Sequence, residues 1–258
     1  MNPVAATVAG GRPAVGAWVL LPSGLGAEIL GSAGFDFLLL DAQHGGVTWE
    51  NMLTVLQGMG GSSSTALVRV GWNNPELIMR ALDLGAGGVV VPMVSTQEEA
   101  ARAAAATRYP PAGSRSFGPV RRPASPADAN EKVLCLPMIE TAEGLANLEG
   151  IVATEGVDGI FVGPVDLALA LGHTAVDYSV VHPAVLDALE EIVRVCHRHG
   201  KLAGTVTLGA TGIAEMLGRG IDFLTTGADS GYLRQGARRD LEAVQDWVQR
   251  RAGGKDRE

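Results

Sequence analysis

The feature that most constrains this chain is a regular alternation. Apolar runs at Val15–Leu21, Phe35–Leu40, Ala66–Val70, Gly88–Val94, Val133–Ile139, Gly159–Val162, Leu202–Val206 and Asp222–Thr226 are each followed by a longer segment with helical spacing. The runs are continuous Val/Ile/Leu blocks rather than polar/apolar alternations, which is the pattern of strands covered on both faces. About eight β–α pairs in succession predict a parallel sheet with right-handed crossovers, closed into a (β/α)8 barrel. A length of 258 residues suits one such barrel, so a single domain over 1–258 is expected, with a mobile tail from Gly253. The alternative is an open doubly wound sheet, but no dinucleotide fingerprint follows the first strand.

The segments between the runs carry helix punctuation. Asn74 stands before Pro75 at a first helical position, and Ile78, Leu82 and Leu84 follow as an apolar stripe. Thr96 and Glu99 have the spacing of a capping box. Thr141 starts another helix, and Pro183 opens one over Ala184–His199 that closes at Gly200. Pro110–Asp128, rich in Pro, Gly, Ser and Arg, reads as an irregular insertion before the fifth strand.

Charge and cysteine content exclude several function classes. A formal net charge of −8 gives no general attraction to nucleic-acid phosphates or anionic lipid. No signal peptide and no bilayer-length apolar run are visible, so the expected location is the cytoplasm. Cys135 and Cys196 lie far apart and outside any Cys-x-x-Cys pair, and read as small buried hydrophobes rather than zinc ligands.

Barrel active sites form at the C-terminal ends of the strands. The ionisable residues at those ends are Asp41 and His44 after the second run, Arg69 in the third, Glu140 after the fifth and Asp166 after the sixth. Glu140 and Asp166 come from neighbouring strands. Two adjacent carboxylates repel unless a proton or cation sits between them, and a hard cation such as Mg2+ or Mn2+ suits them. An acid cap on the following helix is the alternative for Glu140. Arg69 reads either as half of a structural ion pair or as an anion clamp. His44 is placed to shuttle a proton, and Asp83, in the last turn of its helix, is a weak candidate to orient it. Lys132 and Lys201 precede strands and Lys255 is in the tail, so no lysine is placed for a Schiff base at the mouth. Carbanion chemistry here would need a metal as electron sink.

These residues lie in ordered blocks: Phe35–Gly45, Val68–Asn73, Arg80–Ala86, Val90–Val94, Arg108–Pro111, Met138–Thr141 and Asp158–Leu167. With them the chain resembles the HpcH/HpaI aldolases, a family of metal-dependent pyruvate aldolases, from about Trp18 to Leu233. The resemblance implies Glu140 and Asp166 as ligands of a divalent metal (Mg2+ or Mn2+, with Co2+ as an alternative). It implies Arg69 at the substrate keto oxygen, a His44–Asp83 pair for proton transfer, and Asp41 as an acid beside the histidine. Backbone N–H groups near Gly163 and Val165 would receive the pyruvate carboxylate. The implied reaction is reversible cleavage of a 4-hydroxy-2-oxo acid into pyruvate and an aldehyde. The implied assembly is a hexamer exchanging a C-terminal helix, here about Arg239–Arg251 with Leu241, Val244 and Val248 as its apolar stripe. Gln43 and Met138 depart from Glu and Gln of other members, and bear on the aldehyde half of the substrate.

Three rival expectations remain, one of them a non-catalytic binding protein, against which the intact set of acids, arginine and histidine argues. A CoA-thioester lyase of the citrate-lyase-β or malyl-CoA-lyase kind would need a basic surface at the mouth, for which Arg115, Arg121 and Arg122 are candidates. A phosphate-binding barrel would use Thr226–Gly231, although Asp229 in that loop would repel an anion.

Overall fold

The computed structural model describes residues 1–121, 124–174, 181–207 and 212–253. The strands are β1 Ala14–Val19, β2 Phe37–Asp41, β3 Thr65–Arg69, β4 Gly88–Val91, β5 Leu134–Ile139, β6 Gly159–Val162, β7 Leu202–Val206 and β8 Phe223–Ala228. They are parallel and close into a barrel in sequence order, which excludes the open sheet. The helices are α1 Pro3–Ala9, α2 Gly24–Ser32, α3 Trp49–Gly58, α4 Pro75–Asp83, α5 Gln97–Thr107, α6 Pro126–Lys132, α7 Ala142–Ala146, α8 Leu148–Ala153, α9 Pro164–Ala170, α10 Pro183–Arg198, α11 Gly212–Gly218 and α12 Asp229–Gly253.

Alternate residues of every strand point into the barrel, and these must fill it. Trp18, Phe37, Leu39, Leu67, Val90, Leu134, Leu136, Met138, Phe161 and Phe223 form this inner core, closed at the lower end by Val4 of α1. The outward alternates, such as Leu38, Leu40, Val68, Val89 and Ile160, pack beneath the helices. Large inner residues stand opposite glycines in register: Phe37 beside Gly16, Phe223 beside Gly204. A Cβ on Gly204 would lie 2.2 Å from the Phe223 ring, so the glycine supplies volume for the ring. Phe37, Phe223, Phe161 and Trp18 then make consecutive ring contacts, each with centroids 6.0 Å apart.

Three carboxylates at the lower end repeat one device. Asp36 accepts from Val15 N–H, Asp158 from Cys135 N–H and Asp222 from Ala203 N–H, so each ties the entry of one strand to the preceding strand. Each also meets a cationic or imidazole partner: Arg12, Arg108 and His197 respectively. The hydrogen bonds and charge of Arg12 hold Asp36 below the usual carboxylate range.

Several helix signals differ in detail from expectation. Asn74 caps α4, and Thr141 caps α7. Thr96 accepts from Glu99 N–H, but Glu99 returns to Ser95 N–H, so the capping box closes one residue early. The insertion ends sooner than expected, because Ser125 caps α6 at Pro126. The C-terminal helix begins at Asp229, directly after β8, ten residues ahead of the expected Arg239. The tail beyond Gly253, expected to be mobile, lies outside the described residues. Both cysteines are buried and free, and burial pushes each thiol up to about 12. No described helix is long and apolar enough to cross a membrane.

Gly204→Ala should lower stability by roughly 1–3 kcal/mol, because an overpacked core must displace the Phe223 ring. A urea titration followed by tryptophan fluorescence reads this. An unchanged midpoint would show that the ring has room that the backbone geometry denies it.

Candidate active site at the upper mouth of the barrel

The inward series on each strand continues past the apolar core. Beyond Leu39 comes Asp41, beyond Leu67 comes Arg69, beyond Met138 comes Glu140 and beyond Phe161 comes Gly163. Asp41, Arg69, Met138 and Gly163 line a cavity of about 560 Å3, together with Trp18, His44, Pro164, Val165, Asp166 and Leu169. Position at a strand end picks out Asp41, His44, Arg69 and Asp166 of this set, and the resemblance adds Gly163 and Val165.

Asp41 and Arg69 are register partners on β2 and β3. Arg69 Nε donates to Asp41 Oδ1 at 3.0 Å, and Nη2 donates to Oδ2 at 2.6 Å. The carboxylate also receives the N–H groups of Gln43 and His44, at 3.0 and 3.2 Å. The Arg69 guanidinium lies 4.4 Å from the Trp18 ring centroid. Both members of the pair are buried, so each supplies the partner that the other's burial requires. The ion-pair reading of Arg69 is therefore realised at the mouth itself. Among the described residues Nη1 makes no hydrogen bond. Asp41 stands beside His44, but it meets the histidine's backbone and not its imidazole.

Asp83 is elsewhere. It ends α4, and a helix that follows a strand runs back to the opposite end of the barrel. There Asp83 accepts from Arg115 Nη2 at 2.6 Å, and that guanidinium stacks 4.5 Å over Tyr109. The expected His44–Asp83 pair does not form within one chain. Arg115 and Arg121 line a cavity at this lower end, so they offer no basic surface at the chain's own mouth for CoA; Arg122 lies outside the described residues. Asp229 accepts from Leu20 and Leu21 N–H, both at 3.0 Å, and so latches the start of α12 to the end of β1.

Glu140 is 3% exposed. Its Oε1 accepts from Met93 N–H at 2.7 Å. Burial raises its pKa and the charge of Asp166 raises it further, against the opposing pull of the Met93 N–H and Arg69. Asp166, in the first turn of α9, is exposed and makes no hydrogen bond among the described residues. A Cβ on Gly163 would lie 2.6 Å from Glu140 Oε2, so that glycine makes space for the carboxylate. Gly163 N–H is already turned toward Ile139 O at 3.4 Å, whereas Val165 lies in a first turn, where N–H groups have no partner within the helix. No group of three His, Cys, Asp or Glu is found among the described residues. Two hard oxygen donors without a thiolate or imidazole fit Mg2+ or Mn2+ completed by water or ligand oxygens.

Sequence reasoning missed two contributors. Trp18 carried a signal, because its alternation with Gly16 places it inward. Met93 carried none: its φ of +57° is a backbone state for which Gly or Asn would have been the usual sign.

Residues 14–236 match the family model described as HpcH/HpaI aldolase/citrate lyase. The chain is 39% identical over 251 residues to the 5-keto-4-deoxy-D-glucarate aldolase of Klebsiella pneumoniae subsp. pneumoniae, covering 94% of this chain and 96% of that protein. It is 38% identical to the enzyme of the same name from Citrobacter koseri, with the same coverage. Among solved structures, an HpcH/HpaI aldolase/citrate lyase family protein from Burkholderia cenocepacia superposes with a TM-score of 0.87 at 30% identity, covering 95% of this chain and all of that one.

Asp41→Asn should cost about 3–5 kcal/mol in chemical denaturation, because it leaves a buried guanidinium without its counter-charge. Adding Arg69→Met should recover most of that loss. If the single variant unfolds at the native midpoint, Arg69 does not depend on Asp41.

Proposed function

The chain belongs to the HpcH/HpaI aldolase/citrate lyase family, and on that premise we propose that it reversibly cleaves a 4-hydroxy-2-oxo acid to pyruvate and an aldehyde with a divalent metal. The observation that carries this reading is the geometry of the mouth. A clamped Arg69, an open His44 and Asp166 line one cavity, and Glu140 Oε2 lies against Gly163 in its wall.

Glu140 and Asp166 would hold the cation, whose charge, when bound, favours enolate formation at the 2-oxo group. The first-turn N–H of Val165 would receive the substrate carboxylate, at a helix start that favours negative charge. Gly163 would contribute room rather than a donor. Arg69 Nη1 would meet the 2-oxo oxygen as negative charge grows there, and Asp41 fixes the guanidinium so that little reorganisation is needed. His44 would take the 4-hydroxyl proton as the C3–C4 bond breaks, its electron pair passing into the pyruvate enolate; delivery of a proton to C3 would then give pyruvate, and the reverse direction would run the same transfers backward. Lys201 donates to Val157 O at the lower end, which supports metal rather than imine chemistry. The 5-keto-4-deoxy-D-glucarate of the named relatives is a first substrate to try.

The site also calls for a second copy of the chain. Asp83 can orient His44 only from another copy, and Phe117 and Val120 beside it are exposed apolar side chains suited to that contact. α12 exposes Leu241, Val244 and Val248, as its sequence implied, while α2 exposes Leu25 and Ile29. We read these as halves of a contact through which α12 docks on a neighbour, in keeping with a hexamer.

Purified chain should release pyruvate from 4-hydroxy-2-oxo acids with added Mg2+ or Mn2+ and lose this with EDTA, as read by lactate dehydrogenase coupling. Arg69→Ala should lower kcat/KM on the order of a hundredfold or more. No pyruvate from folded, metal-loaded protein across the panel would end this proposal.

Sedimentation of the native chain should give a multimer, and Val244→Asp with Val248→Asp should shift it toward monomer. An unshifted distribution would remove α12 from the contact.

A further inference from the structure

Met93 is the one non-glycine residue with positive φ among the described residues. It follows Pro92 at the end of β4, where the chain turns over the barrel mouth. Its side chain is 37% exposed, so core packing does not demand a bulky residue in that conformation. Its N–H does have a specific engagement, the 2.7 Å bond to Glu140 Oε1. A residue held in a rarely populated backbone state at such a place is the usual mark of a functional constraint.

The effect on Glu140 is directional. A carboxylate has two equivalent oxygens and a broad terminal torsion. One N–H on Oε1 breaks that equivalence. Oε2 is left over Gly163, where only a hydrogen fits, at the start of the turn that carries Asp166. Two elements therefore set one torsion: the β4 turn supplies the donor, and Gly163 supplies the space.

We infer that the left-handed backbone of Met93 is a positioning element for Glu140, which orients Oε2 as the single oxygen offered to a cation shared with Asp166. The inference rests on the reading of Glu140 and Asp166 as metal ligands. It assigns Met93 no contact with substrate. The residue acts through Glu140, as groups behind a metal ligand commonly do.

The test is Mn2+ titration of the metal-free full chain by calorimetry, alongside its thermal midpoint without metal. Turnover is not needed. Met93→Val opposes the left-handed backbone and so withdraws the amide from Glu140. Mn2+ affinity should fall by roughly tenfold or more, as losses behind a metal ligand do. A purely structural role would move stability and leave affinity alone. Met93→Gly and Met93→Asn remove the same side chain but keep residues that adopt left-handed backbone, so their affinity should stay close to native. Met93→Ala, which opposes that backbone less strongly, should also lose affinity, and carries the test if the valine variant fails to fold.

Native affinity in folded Met93→Val and Met93→Ala, with binding abolished by Glu140→Gln, would overturn this inference and leave the ligand assignment standing. Absence of Mn2+ binding by the native chain would overturn both.

Discussion

A closed barrel of eight parallel strands must fill itself from alternate residues of its own strands, and this constraint reaches further than the core. The inner series Phe37, Leu39, Asp41 and Leu134, Leu136, Met138, Glu140 each run without a break from apolar filling to ionisable group. The site is therefore the top layer of the packing, carried on rigid strands rather than on a mobile loop. The contact from Phe37 through Phe223, Phe161 and Trp18 ends under the Arg69 guanidinium. A volume change in the lower layers would be transmitted upward, because close-packed interiors relay strain.

At that top layer the hydrophobic logic reverses into an electrostatic one. Burying a guanidinium requires a partner, and Asp41 supplies two hydrogen bonds in fork geometry. Glu140 is different: burial and the charge of Asp166 both disfavour its ionised form. The mouth thus holds a carboxylate whose charge the surroundings oppose, and a cation at the proposed site would reverse the sign of that opposition.

Most of the fold was legible because its signals are local. Continuous aliphatic blocks mark two-sided burial, and Asn74 and Thr141 mark helix starts by side-chain chemistry that needs no tertiary partner. The mouth residues were legible too, since position at a strand end decides which end of the barrel a side chain serves. What could not be read depends on three-dimensional context. Asp83 was tied to His44 by resemblance, and its own helix takes it to the opposite end of the barrel. Met93 has a backbone state that its side chain does not announce. The start of α12 was hidden because polar Asp229–Gly231 resembles a loop, although Asp229 is committed to the N–H groups of Leu20 and Leu21. The three lower carboxylates share a short motif, Gly34-Phe35-Asp36, Gly156-Val157-Asp158 and Gly220-Ile221-Asp222, each with its glycine at positive φ, but their common role appears only in the ladder.

Those lower carboxylates also clarify what makes an acid functional here. Asp36, Asp158 and Asp222 each combine a backbone N–H with an Arg or His partner. At the mouth, Asp41 receives two hydrogen bonds from Arg69 and two from backbone, and Asp229 latches β1 to α12. Four of the five have engaged both oxygens in the fold, and Asp222 has engaged Oδ2 twice, beside an imidazole rather than a like charge. Glu140 has spent one oxygen, on Met93, and Asp166 makes no hydrogen bond among the described residues. Burial or charge alone does not separate these acids, for Asp41 is as buried as Glu140. The separating property is unspent acceptor capacity beside a like charge. Glu140, buried with one oxygen free, and Asp166, exposed with no hydrogen bond among the described residues, are the adjacent like charges that a shared cation would reconcile.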